Sequence, residues 1–379
     1  MFTQLTLFIE TQGLYSMYNR PTYLEINLDA LKHNYEYLKS ISNKDVFAVV
    51  KANAYGHGMI GISKYLDTLN CSYICVSSLD EAMRLRNKGV VSPLLILGYV
   101  KLTQQVINTV SKNRITLSAI SIEWFKELIT YNLTNTPITL HIEMDTGMNR
   151  LGFKDVTDVT FMIESSKEKN IIWEGIYTHF HSSDKQDGST QKQLIFFKNM
   201  LDEINYDFKW VHTSNSDATL NLEDTISNAT RPGLALYGYS SVPSELVPIM
   251  HFYSHITQMK LLKKHETVSY GATYTAENDT WIGIVPVGYA DGLPIGLSNN
   301  FNVYIGNESC PIVGKICMDQ LMIKLPSNTV ADKVTISGTI SNFETMAKLT
   351  NTITYEILTC LNIRIHRIFR INNQVFIEE

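Results

Sequence analysis

Apolar and polar positions follow a repeating order over the first two thirds of the chain. A short β-rich apolar run is followed by a polar turn and then by a helical pattern, such as Ser78–Lys88, Ile122–Ile129, Val156–Lys169 or Gln191–Ile204. Eight runs are predicted as strands: Phe47–Val50, Tyr73–Val76, Leu94–Leu97, Ile115–Leu117, Thr139–Glu143, Gly175–Thr178, Trp210–His212 and a run near Ala229–Tyr237. Eight strands that alternate with helices predict an α/β fold, a parallel (β/α)8 barrel of the TIM type.

From about His251 the pattern changes to strand-like runs that follow one another with turns between them. The predicted strands are His255–Leu262, Trp281–Val287, Phe301–Ile305, Ile312–Cys317, Gln320–Leu325 and Val334–Ser337, with helices at Phe343–Thr350 and Tyr355–Leu361. We therefore predict a barrel of residues 20–250 and a mainly-β C-terminal domain of residues 251–379. Residues 1–19 are predicted to be an N-terminal extension and not a signal peptide, because a basic first segment is absent and Glu10 interrupts the apolar stretch.

Composition narrows the classes of protein that fit this pattern. The chain is 44% hydrophobic and 18% charged, and its net charge of -5 argues against nucleic acid as a partner. No apolar run approaches the roughly 20 residues that span a bilayer, so no membrane association is expected. The five cysteines show no zinc-type pairing, which predicts a reduced cytoplasmic protein without a metal site.

Lys51 is the residue that first suggests a chemistry. It follows the apolar run Phe47–Val50 and opens a small, glycine-containing turn. A buried strand rarely ends in lysine, because an ammonium group is costly to desolvate. A lysine with a lowered pKa in such a place can form a Schiff base, although a lone lysine is more often a surface residue.

Other predicted strand ends are also polar, and in a barrel they meet at one face. They carry Asp145–Arg150, Thr178-His179, His212–Ser216 and Arg231-Pro232-Gly233. Each alone has an ordinary interpretation: Asn215-Ser216 is typical of a helix N-cap, and Arg150 of a surface charge. Together with Lys51 they predict an active site.

A phosphate cradle is predicted beside this lysine. Ser216 offers a hydroxyl group at a predicted helix start, and Gly233 lets the backbone approach an anion closely. An imine-forming lysine and a phosphate site suggest pyridoxal 5'-phosphate as the cofactor. A class I aldolase barrel would show the same two features, so the residues alone leave both open.

The motifs in their order resemble those of the alanine racemases, pyridoxal-phosphate enzymes with an N-terminal barrel and a C-terminal β-domain. The resemblance runs from about Arg20 to Phe369. The segments that carry it are Ala48–Gly58, Asp145–Gly152, Tyr177–Phe180, Arg231–Gly233, Val268–Tyr274, Gly288–Gly292, Cys317–Gln320 and Tyr355-Glu356.

The resemblance implies a two-base mechanism that interconverts L-alanine and D-alanine and supplies D-alanine for cell-wall peptidoglycan. It makes Lys51 the cofactor-binding lysine and one base, and Tyr270 the second base on the opposite face of the substrate. In this family the tyrosine comes from the other subunit, so the resemblance implies a homodimer with shared active sites.

The resemblance also implies the remaining contacts of the cofactor and of the substrate. Arg231 faces the pyridine nitrogen, and the phosphate or its surroundings are contacted by Tyr55, His179, Asn215, Ser216, Gly233, Leu234 and Tyr355. His212 is a further histidine near the cofactor. Arg150 and the backbone of Met318 meet the substrate carboxylate, and Tyr289 lines the way into the site.

One position departs from the family pattern. Many members carry a lysine, often carbamylated, seven residues before the arginine that Arg150 matches, whereas this chain has Glu143 there. We hypothesise that the carboxylate of Glu143 replaces the carbamate and steadies Arg150. The alternative is that Glu143 points elsewhere.

Two rival functions stay open on the sequence alone. A serine or broad-specificity racemase of the same fold would differ only in pocket side chains, and one hydroxyl or methylene changes binding by about 1–3 kcal/mol. A non-enzymatic pyridoxal-phosphate carrier would resemble only the barrel. The C-terminal segments around Tyr270 and Met318 argue against that carrier.

Overall fold

The computed structural model describes residues 20–133, 137–326, 332–338 and 342–378, so the predicted extension, residues 1–19, lies outside the described part. The chain forms two compact units. Leu28–Ile249 makes the first, and the described residues before and after it together make the second. Among the described residues, no helix is both long and apolar enough to cross a bilayer.

The first unit is a closed parallel barrel, which confirms the predicted fold. Its strands are Asp45–Val49, Tyr73–Val76, Leu94–Ile96, Ile115–Ala119, Ile138–Met144, Ile171–Thr178, Trp210–His212 and Ala229–Thr230. Each strand pairs in parallel with the next, and Asp45 of the first strand lies opposite Ala229 of the last. The strands are short apolar runs because most of their side chains are buried, as parallel sheets require.

Helices follow the strands as the sequence predicts. They are Leu28–Ser42, Met59–Thr68, Leu79–Asn87, Gln104–Lys112, Ile122–Leu128, Val156–Ser165, Ser189–Ile204 and Ser216–Asn221, with a short 3₁₀ turn at Leu234–Tyr237. The side-chain oxygens of Ser78, Thr103 and Ser121 accept hydrogen bonds from the first helical turns. These caps satisfy N–H groups at the helix starts, and the parallel order of the strands places all of their carboxyl ends at one face of the barrel.

The second unit is mainly β. A seven-stranded sheet has the order Glu308–Pro311, Asn302–Ile305, Lys333–Ser337, Met250–His255, Tyr23–Asn27, His366–Ile371 and Gln374–Glu378. A three-stranded sheet joins Gln258–Leu262, Thr280–Val285 and Leu321–Lys324, and a hairpin pairs Thr267–Val268 with Tyr274–Thr275. Two helices, Phe343–Leu349 and Thr354–Cys360, complete the unit.

The strand Tyr23–Asn27 differs from the predicted domain organisation. We placed residues 20–250 in the barrel, but this strand lies in the C-terminal sheet. Tyr23 is opposite Tyr253 in an antiparallel pair and opposite His366 in a parallel pair. Such pairing joins residues far apart in the chain, so a local pattern cannot reveal it.

Three predicted strands differ locally from the structure. The strand predicted at Ile312–Cys317 is wrong: the strand there is Glu308–Pro311, and Gly314 has a φ of 77°, which ends extended backbone. The run His255–Leu262 is broken into the end of one strand and a second strand, Gln258–Leu262. The last barrel strand is only Ala229–Thr230.

Candidate active site

Lys51 lies immediately after the first barrel strand, at the start of an unusual turn. The next four residues, Ala52–Tyr55, have φ values between 52° and 54°, which is the left-handed helical region. That conformation costs roughly 1–2 kcal/mol for each residue other than glycine. Ala54 N–H closes the turn on the carbonyl of Val50 at 2.7 Å. A strained turn of this kind is found where a side chain must be held in one place.

Glu81 fixes this turn from the neighbouring strand–helix unit. One carboxylate oxygen accepts the N–H of Ala52 at 2.8 Å, and the other accepts the N–H of Ser77 at 2.7 Å. The carboxylate therefore links the loops that follow the first two strands. Asn53 adds a third tie, because its side-chain oxygen accepts the N–H of Met59 at 3.0 Å.

Burial lowers the pKa of Lys51 below its ordinary value. The positive charges of Arg150 and, to a lesser degree, Arg231 lower it further, whereas Glu81 and Cys75 oppose the shift. A lysine of lowered pKa has a larger neutral fraction near pH 7. Its amine is then able to act as a nucleophile or as a base.

Arg231 lies beyond the last barrel strand and is almost fully buried. Its Nη1 donates to Nδ1 of His212 at 2.8 Å and to the carbonyl of His212 at 2.6 Å. Its Nη2 donates to the carbonyls of Thr178 and Thr213 at 2.6 and 3.1 Å. The guanidinium also lies over the ring of Tyr177, 4.8 Å from its centre. None of these bonds uses the Nε–H donor.

Ser216, Gly233 and Tyr55 meet at the loops after the last two strands. The hydroxyl of Ser216 accepts the N–H groups of Gly233 and Ala235 at 3.0 and 3.1 Å. A Cβ atom on Gly233 would stand 2.3 Å from the hydroxyl of Tyr55, so only glycine fits there. Leu234 starts the 3₁₀ turn that follows. These hydroxyl and N–H groups lie close together, a combination that suits an anion.

His179 and Asn215 complete the barrel part of the predicted site. The pKa of His179 is lowered to about 3, mainly by burial and further by Arg231, Arg150 and Lys51, so the imidazole is neutral. Asn215 caps the helix that begins at Ser216, because its side-chain oxygen accepts the N–H of Ala218 at 3.2 Å.

Glu143 and Arg150 bear on the predicted departure from the family. Glu143 is buried and accepts a hydrogen bond from the hydroxyl of Tyr177 at 3.0 Å. Burial raises the pKa of Glu143, although the Tyr177 bond and the charge of Arg150 oppose the rise. Arg150 is exposed on the loop that Asp145 holds through the N–H groups of Gly147 and Asn149.

Tyr270 lies in the C-terminal unit, on the short 3₁₀ turn Tyr270–Ala272. Its neighbours Ser269 and Gly271 have φ values of 65° and 74°, and the hydroxyl of Ser269 donates to the carbonyl of Lys315 at 2.6 Å. The backbone is thus fixed, while 73% of Tyr270 is exposed.

The two segments that carry Tyr289 and Met318 lie in the same unit and are joined by backbone hydrogen bonds. The N–H of Tyr289 donates to the carbonyl of Cys317, and the N–H of Ala290 to that of Met318, both at 3.0 Å. A Cβ atom on Gly288 would stand 2.2 Å from the carbonyl oxygen of Met318, so the two segments approach closely because Gly288 has no side chain.

Asp291 anchors this pair of segments. The buried carboxylate accepts hydrogen bonds from Arg20 at 2.6 and 2.5 Å, from Arg364 at 2.7 Å and from the N–H of Gly288 at 2.9 Å. Burial alone would raise the pKa of Asp291, but the two arginines outweigh it and lower the pKa. We call these residues the Asp291 cluster: Arg20, Gly288, Asp291 and Arg364.

Tyr355 stands in the first turn of helix Thr354–Cys360 and is partly exposed. With Tyr270, Tyr289 and Met318 it makes four predicted site residues in the C-terminal unit. The other predicted site residues all belong to the barrel. The structure therefore gathers each set within its own unit.

Sequence reasoning missed three residues that support these side chains: His141, Glu174 and Asp291. Asp291 was part of a motif, yet its partners Arg20 and Arg364 lie far from it in the chain. His141 and Glu174 lie on neighbouring barrel strands. The alternation of a polar residue among apolar ones in His141–Met144 was the available signal.

Family models match both units of the chain. The model described as "Alanine racemase, N-terminal domain" matches residues 26–241, and "Alanine racemase, C-terminal domain" matches residues 249–369. An alanine racemase of Staphylococcus carnosus is 39% identical over 370 residues, which covers 92% of this chain and 95% of that protein. One of Anoxybacillus flavithermus is 38% identical over 374 residues, covering 94% and 96%.

Solved structures are also similar. The crystal structure of an alanine racemase of Bacillus anthracis with bound L-Ala-P has a TM-score of 0.87 and 33% identity, covering 96% of this chain and 98% of that one. The alanine racemase of E. faecalis has a TM-score of 0.88 and 32% identity, covering 93% and 99%.

Proposed function

The chain belongs to the alanine racemase family, and we propose that it interconverts L-alanine and D-alanine with pyridoxal 5'-phosphate as its cofactor. The observation that carries this proposal is Lys51, an amine of lowered pKa fixed in a strained turn at the end of a barrel strand. The product would supply D-alanine for peptidoglycan. Five free thiols support a reducing, cytoplasmic location.

The barrel residues fit this cofactor. The close approach of Gly233 to Tyr55 leaves a cradle of N–H and hydroxyl groups that includes Ser216 and the start of the turn at Leu234. Phosphate oxygens would take the place of the acceptors that these groups now use. Arg231 would face the ring nitrogen, His179 and Asn215 would lie near the cofactor, and Tyr355 would contribute from the C-terminal unit.

Lys51 and Tyr270 are the two bases in this proposal. When bound, the cofactor supplies a sink for the electron pair that remains once the α-proton has left. One base removes that proton from one face of the substrate, and the other returns a proton to the opposite face. The lowered pKa of Lys51 favours the neutral amine that accepts a proton.

Arg150 and the backbone N–H of Met318 would bind the substrate carboxylate, and Tyr289 would line the way to it. Arg231 stays protonated, so it cannot transfer a proton to the ring as an acid would. A ring that is not protonated withdraws electrons less strongly. We infer that this limits side reactions and favours return of the proton.

The direct test measures turnover of the purified, cofactor-loaded protein. We expect it to interconvert L-alanine and D-alanine and to turn over serine more slowly at equal concentration. Circular dichroism or a D-amino-acid oxidase assay follows the reaction. Absence of racemisation would contradict the proposal, and faster turnover of serine would favour the broad-specificity alternative.

A homodimer with shared sites is part of the proposal, and mixed dimers test it. A Lys51→Ala chain and a Tyr270→Phe chain should each be nearly inactive. After random mixing, half of the dimers hold one of each chain, and each such dimer has one complete site, so about a quarter of wild-type activity should return. If each site lies within one subunit, mixing restores nothing.

A further inference from the structure

A row of polar side chains runs through the barrel interior behind Arg231. Nδ1 of His212 accepts from Arg231 at 2.8 Å, and Nε2 of His212 lies 2.7 Å from Nδ1 of His141. Nε2 of His141 is 3.5 Å from Oε2 of Glu174. The proposed function gives His141 and Glu174 no role. The imidazoles of His141 and His212 are both fully buried. We call Arg231, His212, His141 and Glu174 the barrel relay.

The direction of the barrel relay follows from its first member. A guanidinium can only donate, so Nδ1 of His212 must be the acceptor and the proton of the neutral ring is on Nε2. That N–H donates to Nδ1 of His141, which puts the proton of His141 on its own Nε2, facing Glu174. Burial lowers the pKa of both histidines, and the charge of Arg231 lowers both further. Glu174 opposes the shift of His141 without reversing it, so both rings stay neutral.

Two backbone features position the side chains of the barrel relay. The register between the fifth and sixth strands passes from Leu140↔Trp173 to His141↔Gly175, so Glu174 is the extra residue of a bulge. Bulges re-aim a side chain. A Cβ atom on Gly175 would stand 2.7 Å from the ring of His141, so the imidazole fits only because residue 175 is glycine.

Glu174 is well placed to end the barrel relay with a negative charge. Its Oε2 accepts the hydroxyl of Tyr73 at 2.5 Å, and its Oε1 accepts Lys209 at 2.8 Å. Burial alone would raise the pKa of Glu174, but the nearby imidazole of His141 and the hydrogen bonds from Lys209 and Tyr73 lower it to about 2. The carboxylate is therefore ionised throughout the neutral range.

We propose that Glu174 is a positioning residue that acts through His141 and His212 to hold Arg231 as a hydrogen-bond donor beside the cofactor ring. The inference rests on the proposed role of Arg231. Without the carboxylate, His141 can carry its proton on Nδ1, which drives the proton of His212 onto Nδ1, against the Nη1 donor of Arg231. The guanidinium then loses the hydrogen bond that its Nη1 donates to Nδ1 of His212.

The test combines imidazole ¹⁵N NMR of the cofactor-loaded protein with steady-state kinetics. In the wild type we expect His212 and His141 to be neutral, each with its proton on Nε2. Glu174→Leu removes the acceptor, so His141 should show a mixture of tautomers and kcat should fall about tenfold. KM should change less than about twofold, because no substrate contact is altered. Glu174→Gln keeps an oxygen acceptor, so its kcat should lie between that of the wild type and that of Glu174→Leu.

Gly175→Ala gives a second route that leaves Glu174 in place. The added methyl group should displace His141 and produce the same change in tautomers and in kcat. Glu164→Gln is the matched control, because it removes a carboxylate from an exposed ion pair with Lys167 at a helix end. It should change neither the tautomers nor kcat.

A wild-type protein whose His212 carries its proton on Nδ1 would overturn the inference. So would a Glu174→Leu variant that keeps the Nε2–H form of His141 and full kcat. If the wild type fails to racemise alanine, the proposed function fails instead. The tautomers are read from the histidines in the same sample, so the two failures are distinguishable.

Discussion

The two units of the molecule hold their site residues in opposite ways. In the barrel, Arg231 and Ser216 are each 4% exposed, and their donors and acceptors are bound to neighbouring backbone and side chains. In the C-terminal unit, Tyr270 is 73% and Met318 53% exposed. Hydrogen bonds of Ser269, next to Tyr270, and of the Met318 carbonyl hold the segments that carry them. Apart from Arg150, the predicted site residues of the barrel are buried or partly buried, whereas Tyr270 and Met318 are exposed.

This difference distinguishes residues that would bind the cofactor within the barrel from residues of the C-terminal unit that would become part of the site only when they are covered. Buried polar groups that their own unit has oriented can receive a charged ligand after only an exchange of hydrogen-bond partners. An exposed tyrosine or methionine acquires a low-dielectric surrounding only when something covers it. Changes in the barrel should therefore affect cofactor and substrate together, whereas changes on the exposed turns should leave cofactor binding intact.

Lys51→Ala should have the largest effect. It removes the nucleophilic amine, so the rate should fall at least about 10³-fold and the visible absorbance of covalently bound cofactor should disappear. Absorbance spectra and a racemisation assay measure the two losses. Lys167→Ala, in the exposed turn after the helix Val156–Ser165, is the control. Retained covalent cofactor in Lys51→Ala would assign that role to another lysine.

Tyr270→Phe should lower kcat by about 10²–10⁴-fold, the usual contribution of a general acid or base. Cofactor absorbance and affinity should stay as in the wild type, because the residue lies on an exposed turn of the other unit. The exposed Tyr99→Phe is the control, since it removes the same hydroxyl elsewhere. Full activity in Tyr270→Phe would refute its role as a base.

Asp291→Asn should destabilise the C-terminal unit by about 2 kcal/mol, because two arginines lose a buried, charged partner. The loss is not larger because solvent partly screens Arg364. Urea denaturation measures the loss. Asp279→Asn, in an exposed pair with Lys263, is the control and should change the free energy of unfolding much less, because solvent screens that pair.

The pH dependence of that difference follows from the sign of the shift. The folded protein lowers the pKa of Asp291, so its contribution is fully present above the unfolded value of about 3.9. The contribution is lost as the pH falls through the lower folded value. The gap between wild type and Asp291→Asn should be constant from pH 5 to about 8 and should shrink below about pH 4. A gap that widens in acid would contradict this role.

Glu143→Gln should have the smallest effect, a rise in KM for alanine of about threefold if the carboxylate steadies Arg150. Glutamine keeps an oxygen for the Tyr177 hydroxyl, so the fold should be preserved. Unchanged kinetics and an unchanged Arg150 position would show that Glu143 serves only Tyr177.

Local patterns predicted the barrel because each strand and each helix is encoded in neighbouring residues. Tyr73–Val76 and Trp210–His212 have the predicted bounds. Pairing between distant residues is not encoded in this way, so the predicted barrel, residues 20–250, included Tyr23–Asn27, which pairs in the C-terminal sheet. The strand predicted at Ile312–Cys317 failed because the positive φ of Gly314 depends on its surroundings.

The candidate site was predictable where chemistry is concentrated in motifs, as at Lys51 and Arg231. The supports of those residues were not. Glu174 lies just before the predicted start of its strand at Gly175. The bulge that directs its side chain depends on pairing with the neighbouring strand, so no local sequence pattern indicates it. The left-handed turn Ala52–Tyr55 contains two alanines and a tyrosine, which do not favour that conformation.

The position of strand Tyr23–Asn27 has a consequence for synthesis on the ribosome. The barrel is an insertion between two adjacent strands, because Ile26 lies opposite Met250. During translation the first strand is made first, yet its partners emerge only after the whole barrel, on the order of tens of seconds later at bacterial rates. The nascent chain therefore carries an unpaired strand while the barrel folds, and a barrel that closes early keeps that strand beside its future neighbour.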